Sequence, residues 1–314
     1  ILANAHHPLY MKKLTSPANY VGRFAPSPSG PLHFGSLVTA IGSFLQAKAN
    51  KGRWLVRIED IDPPREVPGA SEAILHCLEA HQLFWDDKVI YQSAQSELYN
   101  QKIEYLHQQG FTYFCQCTRA QLSSLKAGQI CDCATSNLSP DGCALRFKYQ
   151  STNLQFFDQL LGQVRLKNED LAGHFAIKRK DGLFAYQLAV VVDDIQQGIT
   201  EVARGADLLD ATLYQMALYQ AFNAPIPKFL HFPVVLSKKG KKLSKQNHAE
   251  EVSTNLVVKN LIDALGFLGL SPPLEVQQDS PHNILHWAIE HWDLSQIGTQ
   301  TGRIDNRIGQ ADSI

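Results

Sequence analysis

Four of the six cysteines form two closely spaced pairs, a pattern typical of a metal site. Cys115 and Cys117 make the first Cys-x-Cys pair, and Cys131 and Cys133 make the second after an interval of thirteen residues. Four thiolates suit tetrahedral Zn²⁺ with no open coordination position, so we predict one structural zinc ion per chain. The tight spacing of the second pair leaves Cys143 as a reserve for the fourth ligand.

A second group of residues lies between a predicted strand and a predicted helix and is suited to bind phosphate. It runs from Ser27 through His33 and Gly35 to Ser36. A helix N-terminus offers unpaired N–H groups and about half a positive charge, and a glycine allows a ligand to approach the backbone. The run lacks the P-loop pattern, so an ordinary turn with a capping histidine is the alternative interpretation.

A third group is a lysine-rich loop after another predicted strand. It contains Lys242, Ser244 and Lys245. Lysines on a loop can neutralise the charge that develops on a transferring phosphoryl group, although a solvated basic turn has the same composition. The second and third groups can meet at the carboxyl edge of a parallel sheet.

The composition excludes several classes of protein. The chain has 314 residues, of which 44% are apolar and 19% charged. This is ordinary globular usage and argues against a disordered, collagenous or coiled-coil protein. No apolar run approaches the ~18–20 residues of a membrane helix, and the first twenty residues lack the apolar core of a signal peptide. We therefore expect a cytoplasmic protein without membrane contact, in which disulfides are unlikely.

The charges are unevenly distributed although the net charge is only −1. Residues 1–58 and 211–249 contain no acidic residue, and they carry seven and six lysines or arginines respectively. Residues 59–104, by contrast, hold ten acidic residues and three basic ones. The two basic windows favour phosphate binding, although chance clustering on a solvated surface would give the same counts.

The order of elements indicates an α/β fold. A strand at 20–25, a helix at 36–49 and a strand at 53–58 form a βαβ unit, which implies a parallel sheet. The run 188–192 is continuously apolar, which favours a strand at 185–193 that is buried on both faces. Further elements are predicted as strands at 174–178 and 228–236 and as helices at 71–83, 93–109, 207–222, 255–270 and 284–292.

We predict a Rossmann-like parallel sheet with helices on both faces, a small zinc-binding insertion and a short helical C-terminal part. A flexible extension (1–19) precedes the first half of the core (20–110), and the zinc insertion (111–150) separates it from the second half with the lysine loop (151–250). The helical region and a polar, mobile tail follow (251–314).

Dispersed motifs in this chain resemble those of the class I aminoacyl-tRNA synthetases, specifically the glutamyl branch. In this chain, HFGS at 33–36 and KLSKQ at 242–246 are similar to the two nucleotide-binding motifs of that family. The remaining matches are RFAPSPSG at 23–30, LVRIEDID at 55–62, FCQCT at 114–118, VVDD at 191–194 and RG at 204–205. The resemblance extends over residues 20–250 and implies the fold of that family.

The resemblance also implies roles for individual residues. It places glutamate against Arg23, Ala25, Ser27, Glu59, Tyr186 and Arg204. It places ATP, with Mg²⁺, against His33, Gly35, Ser36, Lys242, Ser244 and Lys245, of which His33 and Lys245 are the expected catalytic residues. These types suit the ligands, because arginine forks bind carboxylates and an acid binds an ammonium. Asp193 and Asp194 either orient the pocket or serve a purely structural role.

Several departures from a full glutamyl-tRNA synthetase indicate a narrower group. Ser36 replaces the usual histidine, Ala206 to Leu208 replace Glu-Asp-His, and about 65 residues follow the lysine loop where that family continues into a helical anticodon-binding domain. This resembles the short paralogues that attach L-glutamate to the queuosine base of tRNA(Asp). The resemblance implies an ATP-dependent ligase, expected as a monomer, that docks the anticodon stem-loop. The alternatives are a truncated synthetase that charges a tRNA 3′ end and a non-catalytic zinc-containing RNA-binding protein.

Overall fold

A computed structural model describes most of the chain. The described residues are 20–125, 129–149, 155–165, 174–237 and 250–304. The predicted N-terminal extension and the lysine-loop residues Lys242, Ser244 and Lys245 lie outside them.

The described residues form both strands and helices along their whole length. The strands are β1 (Val21–Phe24), β2 (Arg53–Ile58), β3 (Ile90–Tyr91), β4 (Thr112–Cys115), β5 (Ala144–Phe147), β6 (Gln155–Asp158), β7 (Gly162–Arg165), β8 (Phe175–Lys178), β9 (Glu201–Gly205), β10 (Lys228–Phe232), β11 (Val234–Leu236) and β12 (Gly302–Ile304). The helices are α1 (Phe34–Ala49), α2 (Ala70–Ala80), α3 (Ser96–Gln108), α4 (Arg119–Ser123), α5 (Tyr186–Gln197), α6 (Ala211–Ala221), α7 (Val257–Phe267), α8 (Leu274–Gln277) and α9 (Pro281–Glu290). No helix in this part of the chain has the length and apolar character needed to cross a bilayer.

The centre of the fold is a parallel sheet assembled from two halves. In one half β1 and β3 flank β2. In the other, β10 pairs in parallel with β6 and β9, and β7 adds an antiparallel edge. The halves meet where Thr200 donates its backbone N–H to the carbonyl of Val21 over 2.9 Å. The predicted parallel sheet and α/β class are confirmed.

Helix α1 packs tightly on this sheet because its sheet-facing side is apolar. Leu37, Ile41 and Leu45 are fully buried, and each such side chain contributes roughly 1.5–3 kcal/mol. Gly42 allows the close approach, since a Cβ there would lie 2.8 Å from the ring of Phe232 in β10. Residues of α7 and α9 belong to the same hydrophobic core, so the C-terminal helices continue the layer that α1 forms on the sheet.

The strand predicted at 185–193 is wrong, because this segment forms helix α5. A short apolar run is compatible with a buried strand or a buried helix, and its periodicity cannot separate the two. The helix ends at Gly198, whose φ of 66° is left-handed and suits glycine. This correction puts Tyr186 in the first turn of a helix and Asp193 and Asp194 in its buried third turn.

Two further differences concern the C-terminal half of the chain. The predicted strand at 228–236 is divided into β10 and β11, and Pro233 between them has no N–H to continue the ladder. The prediction of a mobile tail after Gly298 is wrong for Gly302–Ile304, which forms β12 and pairs in parallel with β11.

Candidate active site and metal centre

A cavity of about 420 Å³ opens at the carboxyl ends of β1, β2 and β9 and at the N-terminus of α1. In parallel α/β sheets this edge is where ligands bind. All six residues predicted for glutamate line it, namely Arg23, Ala25, Ser27, Glu59, Tyr186 and Arg204. Three residues predicted for ATP, His33, Gly35 and Ser36, line the same cavity.

His33 begins helix α1 and faces the cavity. Its Nδ1 accepts a hydrogen bond from the backbone N–H of Ser36 (3.3 Å), and its Nε2 lies 3.0 Å from the Ser36 hydroxyl. Gly35 makes room for this cap, because a Cβ there would lie 3.2 Å from the His33 ring. The capping role and a phosphate-binding role are therefore compatible, since the cap leaves the helix N-terminus at the cavity wall.

Arg23 is held by a carboxylate from helix α5. Its Nε donates to Asp194 over 3.1 Å, and both side chains are buried. Arg57, which is fully buried in β2, donates to the same carboxylate over 2.8 Å. Burial alone would raise the pKa of Asp194, but Arg23 and Arg57 lower it below its ordinary value. Asp194 thus fixes the guanidinium of Arg23 at the cavity.

Glu59 lies at the end of β2 and is the buried acid of the cavity. Burial raises its pKa to about 7, although the positive charges of Arg57 and Arg23 act in the opposite direction. Its closest ion pair, to Nη2 of Arg57, is 3.4 Å long. A carboxyl group whose pKa lies near neutral pH, and whose closest ion pair is long, can bind a cationic group of a ligand.

Arg204 is oriented by a buried histidine and aspartate. Its Nε donates to Nε2 of His231 (3.0 Å), and Nδ1 of His231 lies 2.7 Å from the carboxylate of Asp158. Because Arg204 can only donate, Nε2 must accept and Nδ1 must carry the proton. Burial lowers the pKa of His231, which favours this neutral form. The Asp158–His231 pair is therefore a positioning device for Arg204.

The arrangement suits an anionic amino acid next to a phosphate. Arg23 and Arg204 supply guanidiniums, Glu59 supplies a carboxylate, and α1 directs its N-terminus to the same space. Burial raises the pKa of Tyr186, so its hydroxyl stays neutral. A ligand with carboxylates and an ammonium complements these charges.

Sequence reasoning missed the supporting residues Arg57, Asp158 and His231. A usable signal was present, because Arg57 and His231 interrupt apolar strands, and fully buried polar side chains require partners. For Asp194 the sequence allows an orienting or a structural role, and the geometry supports the orienting role through Arg23.

The four paired cysteines come together in a separate small module. The module contains the antiparallel sheet β4-β5-β8, and the sulfurs of Cys115, Cys117, Cys131 and Cys133 all lie within 4.8 Å of one another. The Cys115–Cys131 and Cys117–Cys133 sulfur separations are 3.7 and 3.6 Å. A tetrahedron with Zn–S bonds of about 2.3 Å requires about 3.8 Å, so the donor set fits zinc. Cys143 is not part of this group.

Comparison with known proteins agrees with the fold. The family model described as tRNA synthetases class I (E and Q), catalytic domain, matches residues 20–269. The chain therefore belongs to the class I tRNA synthetases of the E and Q type.

Curated relatives indicate which subgroup of this family the chain belongs to. A glutamyl-Q tRNA(Asp) synthetase from Yersinia pseudotuberculosis is 49% identical over 284 residues, which cover 90% of this chain and 86% of that protein. A protein of the same name from Escherichia coli K12 is 48% identical over 292 residues, covering 92% and 94%. This chain is a member of the family that these glutamyl-Q tRNA(Asp) synthetases form.

Solved structures support the architecture alone. A glutamate-tRNA synthetase from Elizabethkingia anophelis superposes with a TM-score of 0.74 at 23% identity, covering 92% of this chain and 68% of that one. A glutamate tRNA ligase from Elizabethkingia meningosepticum, solved in complex with its amino acid, gives 0.73 at 24% identity and covers 91% and 67%.

Proposed function

We propose that this protein activates L-glutamate with ATP and transfers it to the queuosine base in the anticodon of tRNA(Asp). The observation that carries this proposal is the single cavity in which Arg23, Glu59 and Arg204 face the N-terminus of α1. The names of relatives that are 48–49% identical over about nine-tenths of the chain support the choice of acceptor.

In the first step an oxygen of the glutamate α-carboxylate attacks the α-phosphorus of ATP. The bond to the bridging oxygen breaks, and pyrophosphate leaves. Arg23 and Arg204 bind carboxylate, Glu59 binds the ammonium, and Tyr186, Ala25 and Ser27 complete the pocket. His33, Gly35 and Ser36 hold phosphate at the helix N-terminus. Lys242 and Lys245 neutralise charge on the leaving pyrophosphate, and Ser244 donates a hydrogen bond to it. Mg²⁺ accompanies ATP and offsets phosphate charge.

In the second step a hydroxyl of the queuosine cyclopentenediol attacks the carbonyl carbon of the adenylate. An ester forms, AMP leaves, and the hydroxyl proton passes to a base or to solvent. The vicinal diol is similar to the terminal ribose diol that other synthetases esterify. Bringing it to the cavity requires docking of the anticodon stem-loop, whose phosphates the second basic window, residues 211–249, can contact.

The proposal also includes a structural metal ion, a monomeric state and a location in the cell. The module of β4, β5 and β8 binds one zinc ion through Cys115, Cys117, Cys131 and Cys133, where the metal supplies folding energy. The protein acts as a monomer in the cytoplasm, where its tRNA substrate is found.

The acceptor can be tested with radioactive glutamate. We expect labelling of tRNA(Asp) that carries queuosine but lacks its 3′ terminal adenosine. We expect none of intact tRNA(Asp) with guanosine at that anticodon position, and none of tRNA(Glu). Labelling that needs the 3′ adenosine and ignores queuosine would identify a truncated synthetase instead. Absence of glutamate-dependent exchange between ATP and pyrophosphate would indicate the non-catalytic alternative.

A further inference from the structure

A smaller cavity of about 200 Å³ adjoins the active-site cavity. The two share Ser27, Ser29, Glu59 and Tyr186 as a common wall. A group bound in this side cavity therefore lies beside whatever occupies the space at Glu59. The proposed roles of the glutamate and ATP residues leave the rest of its lining without a function.

Two buried oxygens in the side cavity are unused. Gln92 is fully buried, and its Nε2 donates to the carboxylate of Asp193 over 2.7 Å. This bond sets the amide orientation, because a flipped amide would place its oxygen against that carboxylate. Within the described residues neither Oε1 of Gln92 nor Oε1 of Glu66 has a hydrogen-bond partner. Buried acceptors are nearly always satisfied, so these two oxygens point to a donor supplied by a ligand.

The charges differ between the interior and the rim of the side cavity. Burial and the carboxylates of Asp60 and Asp62 raise the pKa of half-buried Glu66, although a backbone hydrogen bond at Asp62 acts in the opposite direction. The Asp62 carboxylate, by contrast, is bound by Arg65 (2.5 Å) and Arg179 (3.2 Å), whose side chains are 68% and 39% exposed. The interior thus accepts hydrogen bonds, and the rim offers guanidiniums.

We propose that the side cavity is the subsite for the acceptor nucleoside, and that it recognises a protonated amine with neighbouring hydroxyls. Glu66 binds the ammonium, the deeper Gln92 oxygen accepts from a hydroxyl, and Arg65 and Arg179 bind the flanking phosphates. Queuosine has this chemistry, since a secondary amine links its base to the cyclopentenediol. The inference rests on the proposed function, and it assigns the residues that distinguish queuosine from guanosine.

The test compares Glu66→Gln with the matched variant Glu79→Gln. Glu79 is exposed on α2 and lines neither cavity, so both variants remove one negative charge but only one changes the subsite. The substrate is an anticodon stem-loop carrying queuosine. Loss of one charge-assisted hydrogen bond predicts that Glu66→Gln lowers kcat/KM for this RNA at least about tenfold. We expect the KM for glutamate in pyrophosphate exchange to stay unchanged, which also shows that the variant is folded.

The rim arginines make a separate contribution to RNA affinity, which can be measured through the dependence of binding on salt concentration. Arg65→Ala and Arg179→Ala should weaken RNA binding and reduce its salt dependence, because each removes a phosphate contact. Glu66→Gln should leave the salt dependence unchanged.

Three results would overturn the inference. If Glu66→Gln transfers glutamate as well as Glu79→Gln does, the side cavity does not bind the acceptor. If Glu66→Gln instead raises the KM for glutamate in exchange, the cavity belongs to the amino-acid site. If the unsubstituted protein performs exchange but does not label the queuosine stem-loop, the proposed acceptor itself is wrong and the inference fails with it.

Discussion

Glutamate binding should strengthen as pH rises through neutrality, because Glu59 must be ionised to hold the ammonium. Burial raises the pKa of Glu59 to about 7 in the free protein. If only the ionised form binds well, the apparent Kd is multiplied by about 11 at pH 6 and by about 1.1 at pH 8. We therefore expect an affinity about tenfold higher at pH 8, measured by isothermal titration calorimetry, which does not depend on chemical turnover.

Two controls separate Glu59 from other titrating groups. Glutarate has both carboxylates of glutamate but no ammonium, so its binding should weaken over the same pH range as Glu59 becomes negative. Glu59→Gln should bind glutamate weakly and with a flat pH profile. Parallel pH profiles for glutamate and glutarate would refute the assignment of Glu59 to the ammonium.

The same pKa predicts an unusual pH dependence of stability. A carboxyl whose pKa is raised by folding contributes stability that is fully present below its unfolded pKa of about 4.3 and is lost as pH rises through the folded pKa. The free protein should therefore lose this contribution between about pH 4.3 and 7. Thermal unfolding should show that saturating glutamate raises Tm more at pH 8 than at pH 6, and an equal increase would contradict this account.

Three further predictions concern the lysine-rich loop, the zinc ion and the Asp158–His231 pair that positions Arg204. Lys245→Ala should slow pyrophosphate exchange at least ~30-fold, because it removes a charge-assisted contact worth about 2–4 kcal/mol, and a near-normal rate would refute the role of the loop. Cys115→Ser should lower both the zinc content by elemental analysis and the protection of the cysteine module from hydrogen exchange, whereas full zinc content in Cys133→Ser would transfer the fourth ligand to Cys143. Asp158→Asn should raise the KM for glutamate at least about fivefold and leave the KM for ATP unchanged. The reason is that the new amide NH2 must face either the Nδ1–H of His231 or the backbone N–H of Leu160, and both of these groups are donors. Equal changes in both constants would indicate a merely structural role.

The parts of the fold that depend on local pattern were predictable from the sequence. The βαβ unit of β1, α1 and β2 combines apolar periodicity with short connections, and both determine it within a single segment. Helix α5 was not predictable in this way. Its apolar run is buried on all sides, and such burial removes the alternation that distinguishes a helix from a strand.

The residues of the cavity were predictable from local sequence patterns, whereas the residues that hold them in place were not. Arg23, Glu59 and Arg204 occur in motifs, so their types and positions in the sequence are enough to indicate a role. Arg57 and His231 act only through partners that are 137 and 73 residues away in the chain, at Asp194 and Asp158. No local pattern contains such a pairing. It is revealed only by the packing of distant elements, α5 against β2 in the first case and β6 beside β10 in the second.

The carboxylate shared by Arg23 and Arg57 has a consequence for biosynthesis. Asp194 follows these arginines by 171 and 137 residues, so α5 must leave the ribosome before the carboxylate that they share can reach them. Buried cations without a counter-charge strongly disfavour a compact state, and long-range pairings of this kind form late. The N-terminal half-sheet therefore emerges as an incomplete unit whose closure waits for α5. A nascent chain shorter than this should be open and protease-sensitive, and the amino-acid pocket should form only after β9 and β10 have joined the sheet.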